Sequence, residues 1–363
     1  WPVRVMLFGA ARDARPYPVG GLKLRRDGWI TALVRGQKMP FRELTRILLE
    51  SNTGPLPEPV ERGLEAVFST LEIDRTRVSL GAPPPEAERT PAWAKMHLLT
   101  VTPEDGGRAR VLFSNLELGA DWVAAYRNAF EKTPEAIDRE AEAYLKAGAF
   151  ELRKLTGAPI TPERDYRVRD VDVALIAVLL ADLLDGEAAQ AAYRAVLNQY
   201  EKSPEALEGL EMYPEAVAAG STSARCHFEL GLRLEDKTEA RAAFEKAAAL
   251  NPRWGEPVFR VAALLEDLKD KIPRLKKAAE LEPRNGAYWE ALAEAYLAAK
   301  DFAEAGKAWA AAERAAATPQ ERDRLRIARQ RLETQRTEHA AEEKRREQEE
   351  IQRLKEKMLE NIR

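Results

Sequence analysis

The sequence predicts an α+β domain, then an all-α repeat solenoid, then a long charged C-terminal helix. Three observations carry that reading. Alternating apolar segments and prolines crowd the first third of the chain, with 12 of the 22 prolines before residue 105. From about residue 120 the apolar residues recur with helical spacing, and several position classes repeat every 31 residues. After Pro319 there is no glycine or proline at all.

Taken in order, residues 3–8, 22–25 and 29–34 read as short strands, with Arg26-Asp27-Gly28 as a hairpin turn. Pro40 opens an apolar-periodic helix, Phe41 to Leu49, which Asn52-Thr53-Gly54 ends. Pro55, Pro57 and Pro59 stiffen the link to a second helix, Val60 to Leu71. Residues 81–92 read as a proline-rich loop and Glu104-Asp105-Gly106-Gly107 as a turn. The domains expected are 1–155 (α+β), 156–222 (a divergent helical linker), 223–318 (repeats) and 319–363 (the charged helix).

Composition excludes several function classes. A 45% apolar content is enough to bury real cores, which excludes a wholly disordered chain. Lys plus Arg is 57 and Asp plus Glu is 60, so a net charge of −3 provides no global attraction to nucleic acid or anionic membrane. The longest uninterrupted apolar run, Val173 to Ala181, is far shorter than the roughly 20 residues a spanning helix needs. Membrane contact is therefore expected only through a partner. One cysteine, Cys226, excludes an internal disulfide, and the three histidines (His97, His227, His339) lie far apart. Trp1 is not an initiator Met, so a secretory signal or a longer domain upstream would both fit.

The repeat is legible in register. Leu230, Val261 and Leu292 fall 31 residues apart, as do Gly231, Ala262 and Ala293, and Leu234, Leu265 and Tyr296, while Pro252 and Pro283 share the same interval. Each unit places a small residue on its first helix and Ala with a bulky partner on its second, Ala240 with Phe244 and Ala305 with Trp309. The unit resembles the tetratricopeptide repeat, two units being a few residues short of its usual length of about 34. Val173–Tyr200 reads as a worn earlier copy through Ala189 and Tyr193, whereas 204–220 is too short to count. The resemblance implies a groove for a protein or peptide, lined by the first helices. Its candidate positions are Arg225, Phe228, Leu232 and Glu235, then Glu256, Phe259 and Glu266, then Glu290, Glu294 and Leu297. Packing of Phe228 and Phe259 between repeats is an equal alternative.

The first domain carries a second resemblance. Arg42-Glu43-Leu44-Thr45-Arg46 sits on a helix after a hairpin, and Glu61-Arg62-Gly63-Leu64 precedes Phe68-Ser69-Thr70 on the next. This architecture resembles the bacterial peptidase-MA-like metallohydrolases of the gluzincin type, many of which carry tetratricopeptide repeats. In that family His-Glu-x-x-His presents two imidazoles on one helix face, and a Glu on the next helix completes the zinc shell. Here Arg42, Arg46 and Arg62 occupy the three ligand positions and Glu43 alone survives, at the water-activating position. A guanidinium has no lone pair to donate and stays protonated, so no metal, cofactor or catalysis is expected. Arg42, Glu43, Arg46 and Arg62 are read either as an ion-pair cluster or as an anion pocket.

Residues 73–118 are divergent from that family, with a reduced helix over the cleft, and 124–145 resemble its C-terminal helices. His97, among Trp93, Met96, Leu98 and Leu99, reads as a packed or surface imidazole, and Cys226 as a small apolar group. The terminal segment interleaves 13 Lys/Arg with 11 Asp/Glu around a thin stripe of Leu325, Ala328, Leu332, Ile351, Leu354 and Met358. It reads as a solvated projecting helix, the sharper alternative being a partner site on its last turns. The expected function is a non-catalytic protein-binding scaffold or accessory subunit of a larger bacterial assembly. The alternative is a hydrolase with a relocated site. Exported relatives of the family place the expectation in the bacterial envelope, though one cysteine is compatible with either side.

Overall fold

The computed structural model describes residues 2–53, 56–74, 76–102, 105–117, 120–158, 170–316 and 319–360. Its internal contacts divide the chain into two units, Trp1–Pro252 and Arg253–Arg363.

The first unit opens with a three-stranded sheet: β1 (Val3–Phe8), β2 (Lys23–Arg25) and β3 (Gly28–Val34), with the short helix α1 (Ala11–Ala14) after β1. Its order is β1-β3-β2, β1 running parallel to β3 and β2 antiparallel to it. The predicted hairpin turn forms at Arg26, whose φ of 45° is left-handed. Period-two alternation puts Met6, Phe8, Ile30 and Ala32 on one face. That face packs on Leu179 and Leu180 of α8 (Val173–Asp182) and on Leu183 just beyond it, far along the chain.

Helices α2 (Phe41–Asn52), α3 (Glu58–Ser69), α4 (Pro91–Val101), α5 (Gly106–Glu117), α6 (Trp122–Phe130) and α7 (Pro134–Ala147) follow. Val60, Leu64, Val67, Trp93, Met96, Leu99, Leu112, Tyr126, Phe130 and Ile137 form their shared core. Gly63 allows α3 and α4 to approach closely: a Cβ there would run into the Ala92 carbonyl and the Met96 side chain.

Several elements depart from expectation. Residues 72–80 form a hairpin, β4 (Glu72–Asp74) and β5 (Arg77–Leu80), joined antiparallel by β6 (Arg153–Thr156). Runs this short carry too little alternation to declare themselves, and β6 is specified by pairing with β5 rather than by its own pattern. The proline-rich stretch 81–92 holds one 3₁₀ turn, Glu86–Glu88, and the start of α4; the expected turn at 104–107 holds the start of α5, Glu104 lying outside the described residues. Two full helices, α4 and α5, thus fill a region expected to be reduced.

The unit continues with α8, α9 (Gly186–Gln199), two single-turn helices α10 (Pro204–Gly209) and α11 (Tyr213–Ala218), then α12 (Ala224–Arg233) and α13 (Lys237–Leu250). Gly231 lies where α12 meets α13, as the repeat predicted: a Cβ would stand 2.7 Å from the Phe244 ring. Gly209 does the same against Tyr193. These are positions where only hydrogen fits.

The second unit holds α14 (Gly255–Ala263), α15 (Leu268–Leu281), α16 (Gly286–Ala298), α17 (Phe302–Ala315) and α18 (Pro319–Glu360). The repeat positions Ala262, Leu292, Ala293, Ala305 and Trp309 form its core. The helix pairs α12–α13, α14–α15 and α16–α17 therefore fall where the 31-residue register predicted them.

The terminal helix corrects one expectation. Leu325 and Leu332 are buried in the second unit's core with Ala328 against it, so the first turns of α18 dock as a cap. From Ala340 to Lys355 every side chain is exposed, including Ile351 and Leu354, and this part is the solvated helix expected.

Candidate functional site

At the peptidase-like positions Arg46 and Arg62 are exposed, Arg42 and Glu43 are half-buried, and the three arginines are already paired. Arg42 pairs with Glu88, Arg46 with Glu50 at 3.9 Å, and Arg62 with Glu58 one turn back on its own helix. Glu43 makes no ion pair with a described residue. Arg42 and Arg46, four residues apart, share a face of α2 and act electrostatically on Glu65 of α3. Burial raises the Glu65 pKa, and the two guanidinium groups partly offset it. Among the described residues no group of three or more His, Cys, Asp or Glu is placed to hold a metal.

His97 is fully buried on α4, bridging elements that are distant in sequence. Its Nε2 lies 2.8 Å from the Gly81 carbonyl and its Nδ1 3.0 Å from the Tyr144 hydroxyl, which in turn accepts from the Glu151 amide at 3.2 Å. A neutral ring with its proton on Nε2 satisfies every partner, and burial holds the pKa below its ordinary value. The packed reading of this residue therefore holds. Lys95, two residues earlier, escaped the sequence reading. It is buried, reaches Asp138 at 2.6 Å and lies over the rings of Tyr126 and Trp122 at 4.8 and 5.5 Å. Its signal was a lone cation inside an otherwise apolar helix.

The predicted groove positions fall in both units. In the first, Phe228 is buried against Phe244 with ring centroids 5.5 Å apart, a contact within its own helix pair rather than between repeats. Arg225 reaches Glu229 on its own helix, while Leu232 and Glu235 are exposed. Cys226 is buried, and burial pushes its thiol up to about 11, so it acts as an apolar filler.

In the second unit Phe259 stacks on Tyr288, centroids 4.6 Å apart, and the Tyr288 hydroxyl donates to Glu256. Glu290 takes a bidentate fork from Arg324 of α18 at 2.6 and 2.7 Å. Leu297 packs against the core, whereas Glu266 and Glu294 are exposed. Four of the ten predicted positions, Leu232, Glu235, Glu266 and Glu294, thus face solvent without a partner on another helix.

A polar clamp that sequence reasoning missed holds the first unit together. Arg26 pairs with Asp182, which is buried and also accepts from Tyr193 at 2.7 Å. Arg25 donates to the carbonyls of Asp182 and Leu184, at the C-terminal end of α8, where a cation complements the helix dipole. Lys23 and Arg25 both bind Asp185, and the Lys23 hydrogen bond holds that carboxyl below its usual range.

No protein-family model matches this chain, and no curated protein does. Among solved structures it is similar to MamA, at 20% identity over 39% of this chain and 91% of that one, with a TM-score of 0.33. It is also similar to YrrB, described as a tetratricopeptide-repeat protein with an unusual peptide-binding site, at 20% identity over 42% and 92% with a TM-score of 0.35. Yeast Tom70 aligns over 82% of this chain and 70% of its own, at 13% identity and a TM-score of 0.33. The repeat assignment itself rests on the helix pairs and on their buried, in-register Gly and Ala positions.

Proposed function

We propose that this chain is a non-catalytic protein-binding scaffold, an accessory subunit of a larger bacterial assembly, that presents its helix pairs to a protein or peptide. The observation that carries this reading is the set of side chains left in solvent on the first helices and the loops that follow them, Leu232 and Glu294 on α12 and α16 and Glu235 and Glu266 just beyond α12 and α14, while the other faces of these helices are consumed by packing. In the same reading residues 1–155 descend from a gluzincin-type peptidase that has lost its zinc ligands. Support comes from the residue types: Arg42 and Arg46, four residues apart, share one face of α2, and neither can coordinate a cation. Residues 156–222 then serve as a linker, 223–318 as the binding repeats and the outer part of 319–363 as a second contact.

Affinity purification from the native source with mass spectrometry tests the reading. A paired L232E/E294K variant should lose the partners that the unaltered chain retains. Zinc at one equivalent with chelator-sensitive proteolysis would overturn it.

A further inference from the structure

The first unit holds a cavity of about 500 Å³ along α5. Its walls are Thr100, near the end of α4, and Gly106, Ala109, Arg110, Phe113 and Ser114 of α5. These α5 positions recur at three and four residues, so one face of a single helix forms most of the lining. The floor is apolar: Ala109 is buried and Phe113 packs against the unit's core. The rim is cationic. Arg110 is exposed, and Arg153 of β6 touches two of the lining residues. Its Nη1 lies 2.9 Å from where a Cβ on Gly106 would stand, and the same nitrogen donates to the Thr100 carbonyl at 3.5 Å.

The donors around this recess are largely unspent. Among the described residues the Arg110 guanidinium and the Ser114 hydroxyl have no partner, and Arg153 uses one N–H. Thr100 has already given its hydroxyl proton to the Met96 carbonyl at 2.6 Å, so Ser114 is the hydroxyl left to donate. No carboxylate stands among the lining residues. Two permanent cations thus meet over an apolar floor without a counter-charge, which concentrates positive potential in the recess. A planar guanidinium fork matches a two-oxygen anion with a pair of parallel hydrogen bonds. We propose that this cavity binds a small organic carboxylate, its charged end held by Arg110 and Arg153 and its apolar body laid on Ala109 and Phe113.

Size and floor together select that class. The volume is within the roughly 300–1,000 Å³ of small-molecule sites, and a bare inorganic anion would leave most of it and all of the apolar floor unused. Ser114 supplies a third hydrogen bond to the carboxylate. The site does not depend on the proposed protein-binding role.

The test uses the full chain with benzoate as the probe, benzamide as its uncharged counterpart and inorganic phosphate as the bare anion. Benzoate should shift the Nε–H NMR signals of Arg110 and Arg153 saturably and with one shared dissociation constant. Benzamide and phosphate should each bind about tenfold more weakly or worse. Arg110→Ala and Arg153→Ala alter exposed side chains, leave the core intact, and should each weaken benzoate about tenfold. Arg110→Lys keeps the charge but loses the fork, and should fall between wild type and Arg110→Ala. A paired R42A/R46A variant, which removes the arginines of α2, should leave the constant unchanged. Unshifted Arg110 and Arg153 signals, equal binding of benzamide or phosphate, unaltered affinity in both alanine variants, or a loss in the α2 variant would each overturn the proposal.

Discussion

Asp27, at the tip of the first hairpin, accepts hydrogen bonds from the backbone amides of Ala224 and Arg225 at 2.8 and 2.9 Å, almost 200 residues further along the chain. Ser223 takes the next amide, that of Cys226, at 3.1 Å, and donates its own amide to Ser221 Oγ at 3.1 Å, so all four open donors at the start of α12 are satisfied. The hairpin therefore caps the first helix of a repeat pair from outside. Asp27→Ala should cost about 1 kcal/mol in urea unfolding, and Asp27→Asn much less, because the amide oxygen still accepts. Equal losses in the two variants would remove capping as the explanation.

Arg26 and Asp182 should be strongly coupled. Removing Arg26 strands a buried carboxylate with Tyr193 as its remaining side-chain partner, and Arg26→Ala should destabilise by about 3–5 kcal/mol. Replacing both partners with apolar residues of similar volume should recover much of that loss. A double-mutant cycle measures the coupling, and additive effects would show that the pair is incidental.

Acid should weaken the first unit through His97. Its folded pKa lies below 6.5, so between the two values the unfolded chain binds a proton that the folded chain refuses. Stability is complete above pH 6.5 and falls as pH drops toward the folded pKa. His97→Gln retains a donor for the Gly81 carbonyl and cannot titrate. The stability gap between wild type and this variant, measured by denaturation from pH 7.5 to 5, should shrink as pH falls. His227, also held low by burial, contributes in the same direction in both proteins and cancels.

Terminal truncations should separate the two halves of α18. Stopping after Ala340 removes exposed helix and should change stability by no more than about 0.5 kcal/mol. Leu325→Ala empties a site in the second unit's core and should cost about 2–5 kcal/mol. Differential scanning calorimetry of both proteins checks the contrast, and comparable losses would contradict the docked-cap description.

The sequence by itself determined whatever depends on spacing along one segment. Alternation marked β1 and β3, and the 31-residue register placed Gly231, Ala262 and Ala293 at helix contacts. Such features are local, because a helix repeats every 3.6 residues and a strand every 2 whatever lies across from it. Only the tertiary structure decided which polar groups are buried and with whom: Asp182 with Arg26, Lys95 with Asp138, and His97 between Gly81 and Tyr144. It also decided that β6 completes a sheet begun by β4 and β5, and that a helix reading as solvated charge seals a core with two leucines. The reason is that desolvation depends on the partners that long-range folding brings together. A buried charge and an exposed one look the same in a row of letters.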